Sequence, residues 1–78
     1  MEDIHELKPV IRIGKNGVTG NIINDVKNLV KKKKIVKIKV LRSALNSETM
    51  KDIADKIVKE ANLRIVQIRG HSVVVMGK

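Results

Sequence analysis

The sequence IGKNGVT at residues 13–19 joins a β-branched segment to an amphipathic one and sets the order of elements in this chain. Its glycines, Gly14 and Gly17, stand three positions apart and let the backbone turn sharply around Lys15 and Asn16. A helix that starts directly after such a turn points its free N–H groups and the positive end of its dipole towards the turn. The sequence therefore predicts a strand–turn–helix unit whose turn binds an anion.

Apolar spacing downstream of the turn predicts two helices. Positions from Val18 to Val30 recur at helical spacing and predict an amphipathic helix of about 13 to 15 residues, with Thr19 as its N-cap. Positions from Met50 to Ala61 predict a second helix, for which Ser47 is the expected N-cap and Asn62 the expected stop. Residues 42–46 are expected to be a plain connector.

β-Branched alternation predicts four strands. They are residues 10–13, 35–41, 63–69 and 72–76, with a tight turn at Gly70-His71 between the last two. The second strand alternates most strictly, with Val36, Ile38 and Val40 on one face and Lys37 and Lys39 on the other. One face of the predicted sheet is therefore apolar, and the other is basic.

The orientation of the third strand stays open at this point. Leu63 and Ile65 compete with Val66 and Ile68 for the core, and a shift of one residue exchanges the two sets. The run 73–75 is apolar on both faces and predicts an interior strand. We expect a two-layer α/β fold of order β-α-β-α-β-β, with both main helices on one face of a four-stranded mixed sheet.

Length and composition restrict the class of function. The 78 residues are expected to form one domain over 1–78, opening with a short segment at 1–8 that has room for one helical turn through Ile4 and Leu7. There is no Cys, and His5 and His71 lack spaced partners, so no metal or other cofactor is expected. Without an apolar run of membrane-spanning length or a signal-peptide pattern, we expect a cytoplasmic protein with no membrane partner.

The glycine pattern does not match a nucleotide site. Gly14, Gly17 and Gly20 spell GxxGxxG, which is neither the dinucleotide fingerprint nor a P-loop. Asp25 stands alone in a basic region, and no nucleophile, base and orienting group occur together. We therefore expect no enzymatic activity and no small-molecule substrate.

Charge is concentrated around the glycine turn. The net charge is +9, with −3 in residues 1–6, +10 in residues 7–46 and +2 in residues 47–78. Such a basic region favours a polyanionic partner, although a generally basic surface and cations that complement a helix C-terminus are alternatives. The candidate binding residues for such a polyanion are Gly14, Lys15, Asn16 and Gly17 in the turn, Arg12, Lys37 and Lys39 on the sheet, and Lys27, Lys31 and Lys34 along one helical ridge. Arg69 or Gln67 is expected on the same sheet face as Arg12, Lys37 and Lys39.

The turn and its flanks resemble a known RNA-binding family. The sequence LKPVIRIGKNGVT at 7–19, followed by a helix and by IVKIKV at 35–40, is similar to the CRM domain, named for chloroplast RNA splicing and ribosome maturation. Stand-alone bacterial and archaeal members are called YhbY-like, and the resemblance extends from about Leu7 to Met76. It implies a fold similar to the C-terminal domain of a bacterial translation initiation factor, a GxxG loop that meets RNA, and a role in maturing the large ribosomal subunit.

The absence of Phe, Tyr and Trp bears on the kind of RNA. Single-strand readers commonly stack bases on aromatic side chains, so recognition here should depend on phosphates and on the shape of structured or double-stranded RNA. The family resemblance implies rRNA or a pre-ribosomal particle as that RNA. Two alternatives remain. One is a small basic DNA-binding protein of chromatin type, and the other is a protein–protein module that uses the edge of the hairpin.

Overall fold

A computed structural model describes residues 8–46 and 48–78 and has the predicted order β-α-β-α-β-β. The elements are β1 (Ile11–Ile13), α1 (Gly20–Lys33), β2 (Ile35–Val40), a short 3-10 helix (Arg42–Leu45), α2 (Met50–Ala61), β3 (Leu63–Arg69) and β4 (Ser72–Gly77). The expected connector at 42–46 is thus mostly 3-10 helix. The predicted helical turn through Ile4 and Leu7 lies outside the described residues. Across the described ranges, no helix combines the length and apolar character needed to cross a membrane.

The sheet is four-stranded and mixed, in the order β1-β2-β4-β3. β1 runs parallel to β2, and β4 is antiparallel to both of its neighbours. β4 is therefore an interior strand, as its apolar run predicts. Both helices pack on one face and enclose a single core, built mainly from branched aliphatic side chains. Its fully buried members include Ile13, Val26, Val36, Ile38, Val40, Ile53, Ile57, Val73 and Val75.

A bulge in β3 settles the orientation that the sequence left open. Ile65 pairs with Val75, and Gln67 pairs with Val74, so Val66 is an extra residue between them. Such an insertion interrupts the alternation of side chains along the strand. Leu63 and Ile65 consequently face the helices before the bulge, and Arg69 lies on the opposite face after it.

The two helix starts differ in how well the sequence predicts them. Thr19 caps α1 as predicted, since its hydroxyl accepts from the amide of Ile22 at 3.3 Å. The prediction of Ser47 as the cap of α2 is wrong because Thr49 occupies that position, while Ser47 itself lies outside the described residues. Thr49 forms a capping box with Asp52, in which each side chain accepts from the other residue's amide, at 3.1 and 3.3 Å. Ser47 has no acidic residue three positions on, so the capping-box spacing favours Thr49.

Helix α1 ends in an unfavourable backbone conformation. Lys34 is its C-cap, with a φ of +69°, and its amide donates to the carbonyl of Val30 at 2.8 Å. Positive φ brings the Cβ of an L-residue close to its own backbone, which is why glycine or asparagine commonly occupies such caps. Asn62 ends α2 in the left-handed conformation, as predicted.

We expect Lys34→Gly to raise the free energy of unfolding by about 1 kcal/mol relative to Lys34→Ala. Both substitutions remove the same charge, so their difference reports the backbone conformation alone. Urea titration followed by far-UV circular dichroism measures it, since the chain has no aromatic residue for fluorescence. Equal stability of the two variants would show that positive φ is not costly at this position.

Candidate nucleic-acid interface

The GxxG turn is a closed turn with an exposed tip. The amide of Gly17 donates to the carbonyl of Gly14 at 2.9 Å, and Lys15 and Asn16 between them are exposed. Gly17 has a φ of +70°, whereas Gly14 is outside the positive-φ region. The turn therefore needs glycine for its backbone conformation at only one of its two glycine positions.

We expect Gly17→Ala to destabilise the domain by about 1 to 2 kcal/mol, the usual cost of left-handed backbone in an L-residue. Open space surrounds Gly17, so the cost arises from φ and not from a clash. Gly14→Ala is the matched control, since its new Cβ would lie 3.8 Å from the Leu41 side chain, in ordinary contact. Thermal melts of the two variants test this, and equal melting temperatures would contradict it.

The start of α1 offers fewer free amides to a ligand than the sequence suggests. Ile22 donates to the Thr19 hydroxyl at 3.3 Å, and Ile23 donates to the Thr19 carbonyl at 3.0 Å. The first-turn amides that a phosphate could use are therefore those of Gly20 and Asn21. The positive end of the helix dipole still lies on the side of the turn and favours an anion there.

Three connections meet at the end of the sheet that carries the GxxG turn. The amide of Leu41 donates to the carbonyl of Ile13 at 2.8 Å, which holds the 3-10 helix beside the turn. The amide of Val40 donates to the carbonyl of His71 at 2.7 Å, which brings in the β3–β4 hairpin turn. We call this end of the sheet, where β1 and β2 both end, the turn end. It adds two exposed side chains, Arg42 and His71, to the candidate site.

Neither Arg42 nor His71 was a candidate from the sequence. The signal that could have found Arg42 is the parallel pairing of β1 with β2, because the carboxyl ends of parallel strands lie at the same edge of a sheet. His71 requires the strand order as well, since its turn reaches this edge only because β4 pairs with β2.

The sheet face that points away from the helices, which we call the open face, carries a row of cations at the turn end. Arg12 pairs with Lys39, Lys39 with Ser72, and Ser72 with Arg69 across all four strands. With neighbouring strands about 4.8 Å apart, the row is about 14 Å long at the level of the Cα atoms. Arg12 and Lys39 are directly opposed, and both are exposed. Like charges placed directly opposite each other destabilise a sheet, so this row favours the binding of an anion.

The rest of the open face is also basic. In the next row Lys37, which is half-buried, pairs with Val74, and Val74 pairs with Gln67. Val74 is buried although it lies outside the main core, so an apolar centre separates the polar side chains of this row. Arg64 lies further along, opposite Met76, and the sequence could not assign it to this face without the bulge.

The carboxylate side chains that the structure describes are segregated from the open face. None of the four described strands contains Asp or Glu. The described carboxylates lie on α1 or on α2 and its approach, where Lys56 Nζ and Glu48 Oε1 form an ion pair at 3.0 Å. They are Asp25, Glu48, Asp52, Asp55 and Glu60. The open face and the turn end thus present positive charge that no strand carboxylate neutralises.

The structure does not bring all of the predicted site residues together. Arg12, Lys37 and Lys39 share the open face, next to the GxxG turn. Lys27 and Lys31 lie four residues apart on α1, in the other layer, and both are exposed. The predicted ridge is wrong in its last member, because α1 ends at Lys33 and Lys34 has left the helix.

Comparison with known proteins identifies relatives along nearly the whole chain. The model of the CRS1 / YhbY (CRM) domain matches residues 1–76. The probable RNA-binding protein YqeI of Bacillus subtilis is 30% identical over 71 residues, covering 91% of this chain and 72% of its own length. An RNA-binding protein of Haemophilus influenzae is 32% identical over 71 residues, covering 91% of this chain and 70% of its own length.

A third relative is longer than this chain. A probable RNA-binding protein of Methanocaldococcus jannaschii is 34% identical over 67 residues, which are 86% of this chain but 49% of the relative. This chain thus spans about half the length of that relative.

A solved structure supports the same fold. The solution structure of a Staphylococcus aureus protein, described as a candidate RNA-binding protein, superposes with a TM-score of 0.78 at 23% sequence identity. The superposition covers 95% of this chain and 75% of the other, so the two share one architecture. With the family model matching residues 1–76 and the mixed β-α-β-α-β-β sheet in place, this chain belongs to the CRS1 / YhbY (CRM) domain family.

Proposed function

We propose that this domain binds structured RNA through the turn end and the open face. The observation that carries the proposal is the position of the GxxG turn beside the row formed by Arg12, Lys39 and Arg69. A nucleic-acid strand that crosses the four β-strands would place its phosphates beside the cations of this row. At the β1 end of the row it would also reach Lys15 and the backbone amides of the GxxG turn. Phosphate contacts of this kind fix the register of a nucleic acid and supply most of its sequence-independent affinity.

RNA is the polyanion that the family favours, and the composition favours recognition by shape. The matched relatives in Bacillus, Haemophilus and Methanocaldococcus carry RNA-binding names. Since the chain has no Phe, Tyr or Trp, bases cannot stack on those side chains here. We propose ribosomal RNA as the ligand and assembly of the large ribosomal subunit in the cytoplasm as the process, on the strength of the family resemblance.

Two other functions have less support. A DNA-binding role would need only the charge, and no feature of the described residues favours DNA over RNA. A role in strand addition at the hairpin edge would use β3, whose bulge at Val66 and whose Arg64 and Arg69 are devices that discourage pairing at an exposed edge.

A competition experiment at matched salt tests the proposal. Unlabelled rRNA hairpins and duplex DNA of the same length compete for the protein against a labelled rRNA hairpin. We expect the hairpins to compete at least about tenfold better, because an A-form helix displays 2′-hydroxyls in a wide, shallow groove that B-form DNA lacks. Equal competition by DNA would overturn the assignment to RNA and favour the charge-only alternative.

We expect Lys15→Ala to lower the salt dependence of RNA binding by about one unit in the slope of log K against log salt, since each lost phosphate contact removes roughly 0.7 to 0.9. Lys51→Ala is the matched control, because Lys51 is an exposed lysine on α2, away from the open face. Titrations at four salt concentrations give both slopes. A slope unchanged by Lys15→Ala would mean that the tip of the turn does not contact phosphate.

A further inference from the structure

A second group of cations lies apart from the proposed site. Lys27, Lys31, Lys32, Lys33 and Lys34, which we call the distal cluster, are all exposed and have no acidic residue among or between them. Lys56 and Glu48 form an ion pair on α2 and its approach, and within the described ranges no lysine of the distal cluster is paired with Asp or Glu. Five lysines within eight residues form a strongly basic patch.

The stability of helix α1 explains only part of this patch. Cations in the last turn complement the dipole at a helix C-terminus, which accounts for Lys31, Lys32 and Lys33. Lys27 lies a turn earlier and stands four residues from Lys31, a like-charge spacing that disfavours the helix. Lys34 occupies a positive-φ cap where glycine or asparagine fits better. The chain thus carries lysine at two positions where lysine is unfavourable for folding.

The turn end lies at the N-terminus of α1, whereas Lys31, Lys32, Lys33 and Lys34 of the distal cluster lie at its C-terminus. The helix has 14 residues, so its ends are about 21 Å apart at 1.5 Å per residue. The two groups also lie in different layers. The cation row points away from the helices on the open face, whereas Lys27, Lys31, Lys32 and Lys33 are on α1, which packs on the other face of the sheet.

This separation bears on how RNA can be bound. A straight RNA helix that lies across the open face, in contact with Arg12 and Lys39, leaves the lysines of α1 facing solvent on the far side of the sheet. They are then available to the phosphates of another segment. The two-layer fold thus divides the candidate cations between opposite sides of the sheet.

We propose that the distal cluster is a second RNA site, so that one domain holds two RNA segments at once and bridges them. The inference rests on the proposed function, because it takes the turn end and the open face as the first site. The ligand at both sites is the phosphate backbone of structured RNA. The activity that follows is the tethering of two RNA helices, which brings distant parts of a folding RNA together.

A capture experiment tests the bridge. A hairpin of about 16 base pairs, the span of a typical duplex-binding domain, is immobilised on beads, and the same hairpin with a fluorescent label is added with increasing amounts of protein. We expect captured fluorescence to rise as protein is added and then to fall when protein is in excess. At excess, each hairpin is occupied by a different protein molecule, so no single molecule joins the two. Light scattering of the free protein at these concentrations shows whether a protein dimer could account for the capture.

The variant Lys32→Gln with Lys33→Gln reduces the second site without touching the first. Two lost phosphate contacts are each worth about a 5- to 8-fold change at 0.1 M salt, so capture should fall by at least about tenfold. Binding of a single hairpin in solution should change by less than about threefold. Lys51→Gln with Lys59→Gln removes the same charge from α2 and should retain capture. Circular dichroism confirms folding of both variants.

The outcomes separate the two proposals. Loss of capture in the Lys32 and Lys33 variant, with capture kept in the Lys51 and Lys59 variant, supports the bridge. Unchanged capture in the first variant overturns it, and so does a monomeric protein that binds one hairpin without capturing another. If the unaltered protein binds no hairpin at all, the proposed function itself fails.

Discussion

Replacing Arg12 and Lys39 together with alanine is expected to weaken RNA binding by about 25- to 60-fold at 0.1 M salt and to lower the salt slope by about 1.4 to 1.8. The two residues are directly opposed on β1 and β2, and both side chains are exposed on the open face. Each is expected to contact one phosphate, so the two losses should add in the slope. Fluorescence anisotropy with a labelled rRNA hairpin across a range of salt concentrations measures both quantities.

The same double variant should be slightly more stable than the unaltered protein. Removing two like charges from adjacent strands relieves their repulsion, while neither side chain belongs to the core. A weaker binder with higher stability therefore identifies a loss of contact and not a loss of fold. Lys51→Ala with Lys59→Ala removes the same charge from α2, and a comparable loss of affinity in that control would mean that net charge alone drives binding.

Ile38→Ala is expected to lower the free energy of unfolding by about 2 to 5 kcal/mol, the range found for large buried aliphatic residues cut to alanine. Ile38 is fully buried in β2, between its pairing partners Ile11 on β1 and Val73 on β4. A domain of 78 residues has a total stability of about 4 to 12 kcal/mol at typical values per residue. This one substitution could therefore remove half of the stability or more.

Ile35→Ala provides a matched control on the same strand. Ile35 is half-buried and pairs with Met76 on the open face, so its truncation should cost about 1 kcal/mol or less. Urea denaturation monitored by circular dichroism gives both midpoints, and an unchanged slope would show that the unfolded state is not altered. Similar losses in the two variants would contradict the assignment of the core to the helix side.

Much of the fold follows from the sequence because its signals are local. Period-2 alternation in β2 places Val36, Ile38 and Val40 in the core, and helical spacing with Thr19 sets the start of α1. The orientation of β3 was out of reach because the bulge at Val66 changes the alternation partway along the strand. The cap of α2 was misplaced because two hydroxyl residues stand close together, and only Thr49 has the acidic partner of a capping box.

The candidate site is less predictable because tertiary structure assembles it. The conformation of the GxxG turn and the face of Lys37 and Lys39 are local properties, and both could be inferred. Arg42 and His71 reach the turn end only through strand order. The assignment of Lys27 and Lys31 to the opposite layer also depends on packing, which a pattern of charges along the chain does not contain.

We expect the short strand β1 to open more readily than the interior strands of the sheet. β1 has three residues and lies at the edge of the sheet, so it is hydrogen-bonded along one side only, to β2. Segments with so few partners open at a fraction of the free energy of global unfolding. RNA that spans Arg12 and Lys39 would hold β1 closed against β2, and part of its binding free energy would be used to suppress that opening. The affinity of the domain would then depend on how often this strand detaches as well as on the number of cations it displays.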